Sequence, residues 1–292
     1  MGVKQYGNAL GHQIIISLYK IFGYKSVSFI LNFVAFYYAL FTPSVRKSLQ
    51  SYYDKLHIEL TFWAYYKHIR LFAHSILDRF ISRISKDEIV FVRENREVFV
   101  SMQEGGVVLL SHIGGWATAA HSLNADIPPM HMVMREAQKD KIKRLERDKK
   151  RTNESIVKII DLNDGAIAAN IQIANVLMNK EIVAMMADRV TDNTKTVDVM
   201  FLGEKVQINK NPFDIAFRFK KKLVATFVVN EKVKEYKIIF REIKLENKSL
   251  EEIAQEYMNI LENIIKIYPN QWYNFYDFFN QSTQRKIDVN KQ

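Results

Sequence analysis

The sequence predicts an α/β fold: a mostly parallel central sheet flanked by helices, preceded by an amphipathic to apolar helical segment at the amino terminus. Three observations carry this. Short apolar runs of strand character alternate with stretches of helical periodicity through the middle of the chain, the pattern of strand–helix–strand units. The run GGVVLLS is apolar throughout, as a buried strand is. Hydrophobic residues make up 48% and charged residues 25% of 292 residues, enough for a real core in one large domain.

In chain order, the amino-terminal stretch SVSFILNFVAFYYALFT, Ser26 to Thr42, carries no charge over 17 residues, and Pro43, Arg46 and Lys47 follow it. An earlier run, IIISLY from Ile14, is set apart by Lys20 and Lys25. A spanning helix needs roughly 20 apolar residues. This segment is at the short limit and contains Asn32. It lacks a small-residue cleavage site, which argues against a signal peptide. Three readings stay open: a helix lying in a membrane interface, a span, and a buried core helix. The domain boundary is placed there, with 1–45 as membrane-contact helices and 46–292 as one α/β domain.

Next, Phe62, Tyr65, Tyr66, Ile69, Phe72, Ala73, Ile76 and Phe80 recur at three- and four-residue steps, an amphipathic helix. DEIVFVR, EVFVS, GGVVLLS and MHMVMRE read as strands, the last ending at Arg135. Lys139 to Arg151 carries eight basic residues against three acids, either a solvated helix face or a contact for an anionic partner. GAIAANIQIANVLMNK is a helix, EIVAMMADRV a strand ending in a charged pair, and KLVATFVVNE and EYKIIFREI further strands. Ser249 with Glu252 three residues later forms a capping box, opening a helix that runs to Pro269.

The chain has no cysteine, which excludes disulfides, thiolate metal sites and cysteine nucleophiles. A net charge of +10 favours an anionic partner: nucleic acid, anionic lipid headgroups or an acidic protein. No nucleic-acid motif is present, and the apolar amino-terminal segment argues against that partner. There is no G-x-S-x-G, no Walker loop and no G-x-G-x-x-G, so hydrolase, NTPase and dinucleotide-dependent readings lack their signatures.

In a parallel sheet the site lies beyond the carboxyl ends of the strands. His112, Arg135 and the pair Asp188–Arg189 each fall at such an end. His112 is the candidate general base, since imidazole takes a proton near neutral pH. Gly114 and Gly115 leave room for a substrate against the backbone. Their N–H groups, or an arginine, could stabilise an oxyanion. His121, nine residues on, does not form a metal-ligand spacing with His112. No metal or other cofactor is expected. A histidine base needs an orienting acid, and none follows His112 before Asp126.

The stretch LLSHIGGWATAA resembles the first motif of the lysophospholipid acyltransferase superfamily, and in particular its lipid A late-acyltransferase (lauroyl/myristoyl transferase) branch. That motif is His, four residues, then Glu or Asp, often H-x-G-x-W-E. His112, Gly114 and Trp116 match, and Ala117 stands where the acid is expected. EIVAMMADRV is similar to a second block ending in Asp-Arg, here Asp188 and Arg189. VMFLGEKVQINKNPFDIAFRFKKKLVATFVV resembles a third, with Phe201 and Gly203 as its F-x-G element and Pro212 before a helix. FAHSILDRF and YPNQWYNFYDFF resemble stretches of the sub-branch tied to aryl-polyene and flexirubin clusters, and TPSVRKSLQSYY the family's amino-terminal pattern. The Pro-Glu-Gly-Thr-Arg block of the glycerol-phosphate acyltransferases is missing.

The resemblance implies an acyltransferase on the cytoplasmic face of a bacterial inner membrane, peripheral or monotopic. It implies transfer of a fatty or polyene acyl chain from acyl carrier protein or acyl-CoA to a hydroxyl of a lipid or glycolipid. His112 is the implied base, and Gly114, Trp116, Asp188, Arg189, Phe201 and Gly203 the implied substrate contacts; Gly115 and Arg135 join them from their own places in the chain, beside Gly114 and at a strand end. Ala117 leaves three expectations open. The acid has been changed deliberately, which traps an inactive protein; another carboxylate, Glu136 or Asp188, replaces it; or the chain is a silent lipid- or carrier-binding homologue. The acid itself is expected at position 117, so that turnover is weak or absent and Ala117→Glu raises it sharply.

Overall fold

The computed structural model describes residues 9–85, 88–122, 127–135, 157–190 and 195–279, with side chains from Ile16 onward and without that of His121. Glu136 and the basic segment 139–151 lie outside the described residues.

Three helices lead: α1 (Ala9–Phe41), α2 (Pro43–Lys55) and α3 (Phe62–Ile84). Pro43 at the first position of α2 suits a helix start, where its missing N–H costs nothing. The strand β1 (Val90–Glu94) follows, then the short helix α4 (Arg96–Val100). This corrects EVFVS as a strand. Asn95 adopts a left-handed conformation (φ 56°, ψ 43°) that turns the chain. Phe99 and Met102, three apart, then bury on one side, and Phe99 stacks on Phe240 at 4.7 Å.

The remaining strands are β2 (Gly106–Leu110), β3 (Met130–Met134), β4 (Val157–Asp161), β5 (Ile182–Met186), β6 (Thr196–Phe201), β7 (Glu204–Asn209), β8 (Lys222–Lys232) and β9 (Glu235–Ile243). The helices between and after them are α5 (Trp116–Ala119), α6 (Ala166–Met178), α7 (Asn211–Arg218) and α8 (Leu250–Ile267). Seven strands form one sheet in the order β1-β9-β8-β2-β5-β3-β4. Every pairing in it is parallel except β8 with β9. The expected fold class is therefore the observed one. The α8 capping box also forms: Glu252 N donates to Ser249 Oγ at 3.2 Å, and Ser249 N to Glu252 Oε2 at 2.7 Å.

The central strands are apolar on both sides because both faces are covered. In β2, Val107 and Leu109 enter one core with α2, α6, α7 and α8, while Val108 and Leu110 enter the other with Leu77, Ile81 and Phe99. β5 divides the same way, Val183 and Met185 against Ile182 and Ala184, as a period of two requires.

The helix α1 is broken at Gly23 (φ 73°, ψ 178°). Beyond the break, Tyr24, Val27, Ala35 and Ala39 bury on one face, and Asn32 turns to the protein, its Oδ1 3.0 Å from His74 Nε2. Phe29, Phe33, Tyr37 and Phe41 are exposed on the other. Ile16–Phe41 is long and apolar enough to cross a membrane, with mean hydropathy 1.2, and only 28% of that window is buried.

Candidate active site

His112 follows β2 by two residues, and Asp188 follows β5 by two. β2 and β5 are parallel neighbours with Leu110 opposite Met186, so the next residues of like parity, His112 and Asp188, come side by side. The adjacent strand therefore brings a carboxylate to His112. His112 Nδ1 lies 2.8 Å from Asp188 Oδ1, and His112 N donates to Asp188 Oδ2 at 2.9 Å. The imidazole is one-quarter exposed, while the carboxylate has no exposure.

Burial pushes the Asp188 carboxyl pKa up, but the His112 charge and hydrogen bond and the Arg189 guanidinium outweigh it and hold the value near about 2. A permanently ionised acid bonded to Nδ1 fixes the tautomer that leaves Nε2 as the proton acceptor. Ala117 sits half-buried in the first turn of α5 and brings no acid.

Sequence reasoning missed the third partner. Trp272 Nε1 donates to Asp188 Oδ2 at 3.0 Å. The segment 271–273 runs antiparallel to 112–114: Gly114 N donates to Gln271 O at 2.8 Å and Tyr273 N to His112 O at 2.8 Å, with Ile113 bridged to Trp272. No sequence spacing announces a pairing between segments so far apart; only the quoted YPNQWYNFYDFF resemblance falls on it.

The glycines correct one expectation. The N–H of Gly114 is held by Gln271, and that of Gly115 by Val228 O at 3.0 Å, so neither is free as an oxyanion donor. A Cβ on Gly114 (φ 53°) would fall 2.0 Å from Val228 O, and one on Gly115 2.3 Å from the Tyr236 ring. Glycine at both positions lets the turn after His112 press against β8 and β9.

Arg189 is buried beside Asp188, with its guanidinium donating to Tyr273 O and lying 5.5 Å from the Tyr276 ring centroid. Burial lowers its pKa from the usual arginine range, and Asp188 opposes that. Arg135 is exposed at the end of β3, two strands from β2 and so about 10 Å away along the same edge by ordinary strand spacing. Trp116 is half-buried at the start of α5 and packs on the second core.

Phe201 and Gly203 are not where a substrate could touch them both. Phe201 is fully buried and packs edge-on to Trp272 at 5.3 Å. Gly203 (φ 80°) and Leu202 (φ 50°) make the two-residue turn of the β6–β7 hairpin, where both central residues need positive φ. Glu262 Oε2 accepts from Leu202 N at 2.7 Å and holds that turn to α8. The F-x-G element thus acts as structure, one ring behind the indole that touches Asp188. Among the described residues, no group of three or more His, Asp or Glu side chains is arranged to hold a metal.

No curated protein matches this chain. Residues 61–280 match the family model for bacterial lipid A biosynthesis acyltransferases, a span that includes His112, Asp188 and Trp272 and three-quarters of the sequence. With the parallel sheet and a histidine–carboxylate pair at its carboxyl edge, the chain belongs to the bacterial lipid A biosynthesis acyltransferase family.

Proposed function

We propose that this protein is a membrane-associated O-acyltransferase of the lipid A late-acyltransferase branch, moving a fatty or polyene acyl chain from acyl carrier protein or acyl-CoA to a hydroxyl of a lipid or glycolipid. The observation that carries the reading is the 2.8 Å contact between His112 Nδ1 and the buried carboxylate of Asp188. In the reaction, His112 Nε2 takes the proton of the acceptor hydroxyl as its oxygen attacks the thioester carbonyl. The tetrahedral intermediate collapses, the C–S bond breaks, and the imidazolium returns its proton to the leaving thiolate. Asp188 stabilises the imidazolium without itself taking the proton. Arg189 adds a fixed positive charge behind the pair.

Placement on the cytoplasmic face of the membrane is part of the same proposal. It is supported by the exposed aromatic face of α1 and by the net charge of +10, which suits an anionic leaflet or an acidic carrier protein. α3 links the two regions: α1 packs along it, and Thr118 of α5 bonds to Ser75 O at 3.4 Å.

The test is radiolabelled acyl transfer to a membrane extract with four proteins side by side. The unaltered chain transfers acyl groups, and His112→Ala abolishes transfer. Asp188→Asn lowers turnover by about 10³- to 10⁴-fold, by analogy with a triad that has lost its acid. Ala117→Glu brings no gain, because His112 Nδ1 is already taken. Full activity in Asp188→Asn, or a sharp rise in Ala117→Glu, would place the acid elsewhere and sink this assignment.

A further inference from the structure

We infer that Trp272 is a positioning residue for the His112–Asp188 pair, its indole N–H fixing the carboxylate so that one oxygen is reserved for the imidazole. The acyl-transfer reading is needed only for the kinetic part of the test.

Asp188 accepts three hydrogen bonds from two segments. Oδ1 meets His112 Nδ1 at 2.8 Å, while Oδ2 meets His112 N at 2.9 Å and Trp272 Nε1 at 3.0 Å. A carboxylate held at Oδ2 by two donors cannot turn about its own bond without breaking both, so Oδ1 keeps its aim on the imidazole. The indole is suited to this, being a donor only, with no acceptor that could draw the imidazole N–H away from the carboxylate.

The indole cannot drift, because rings close it in on three sides. Tyr52 of α2 lies at 5.0 Å between centroids, Phe201 of β6 at 5.3 Å and Phe278 at 5.0 Å. The backbone of Trp272 is bridged to Ile113, one residue past the histidine. One segment therefore sets the base through its main chain and the acid through its side chain. If Trp272 only filled space, a phenyl ring would do equally well; the polar contact with a wholly buried carboxylate is what a phenyl ring lacks.

The experiment uses the full chain in detergent and reads two quantities. The first is the downfield proton resonance of His112 Nδ1–H, assigned by its absence in His112→Gln. The second is steady-state acyl transfer. Trp272→Phe keeps ring bulk and removes the N–H. It displaces or abolishes the resonance, and kcat falls by about 10- to 100-fold, the effect of one hydrogen bond to a charged group. KM for the acyl donor stays within about twofold, since no donor contact is lost. Phe278→Leu loosens the packing on the indole but leaves its N–H, so it keeps the resonance and most of kcat. If Trp272→Phe does not fold, benzothienylalanine at position 272 removes only the N–H and gives the same two readings.

An unchanged resonance in the folded Trp272 variant overturns the inference. So does an equal loss in Phe278→Leu, which would make packing the cause. If the unaltered chain transfers no acyl group yet shows the resonance, and Trp272→Phe displaces it, positioning stands and the acyl-transfer reading falls.

Discussion

Ala117 and Asp188 show how a residue-level motif can be broken in sequence while a carboxylate still reaches the histidine in space. A local motif places the acid five residues after the histidine; here strand pairing delivers it from the neighbouring strand. The sequence flagged Asp188 because it ends a strand, and it is the strand register, not proximity in sequence, that decides between Asp188 and the position of Ala117. A second buried acid, Asp78, behaves in the opposite sense. Burial raises its pKa to about 6, against the Tyr236 and Tyr24 hydroxyls that donate to it at 2.6 and 3.0 Å. Its folded pKa lies above the unfolded one, so its contribution to stability is present below about pH 4 and is lost as pH rises toward about 6. Asp78→Asn should therefore raise stability at neutral pH, by on the order of 2 kcal/mol, and leave it unchanged or lower near pH 4. Urea melts of the two proteins at both pH values check this; an equal shift at each would remove the proton linkage from the account.

At the scale of elements, α1 is long and apolar enough to cross a membrane, yet part of it is buried on its own domain. Its Asn32 is satisfied by His74, and one face packs on α3 while four aromatics on the other stay exposed. A half-packed apolar helix of this kind suits the membrane association proposed above. Replacing Phe29, Phe33 and Tyr37 together with serine should abolish cosedimentation with anionic vesicles. It should leave the thermal midpoint nearly unchanged, because those rings touch little of the fold. Retained vesicle binding would refute the surface role. Other elements were legible for local reasons. The Ser249–Glu252 box and the run of β2 depend on neighbours in sequence. EVFVS was not legible, because a left-handed Asn95 and the Phe240 ring, both outside its own pattern, decide that it coils.

At the scale of the whole molecule, acid and salt dependences follow from distributed charges. His68 is wholly buried and His74 largely so, and burial lowers their pKa values to about 3 and about 4. Folded values below unfolded ones mean stability is present above about pH 6.5 and is lost as pH falls toward 4 and 3. Asp188 adds a further loss as pH falls from about 4 toward 2. The acid side of the stability profile should therefore be steep, and His68→Gln should flatten it; a superimposable profile would mean that His68 titrates normally. The net charge of +10 predicts that binding to anionic vesicles weakens as salt rises, whichever basic residues carry it. That total was readable from composition.

The antiparallel zipper between 112–114 and 271–273 has a consequence for the protein while it is being made. All seven strands of the main sheet leave the ribosome before Trp272. Until the segment 271–273 emerges, His112 O lacks the Tyr273 N–H and Asp188 lacks its third donor. A nascent chain can thus fold much of its sheet with the His112–Asp188 pair still unset. The order of synthesis itself makes this pair the last part of the molecule to be fixed.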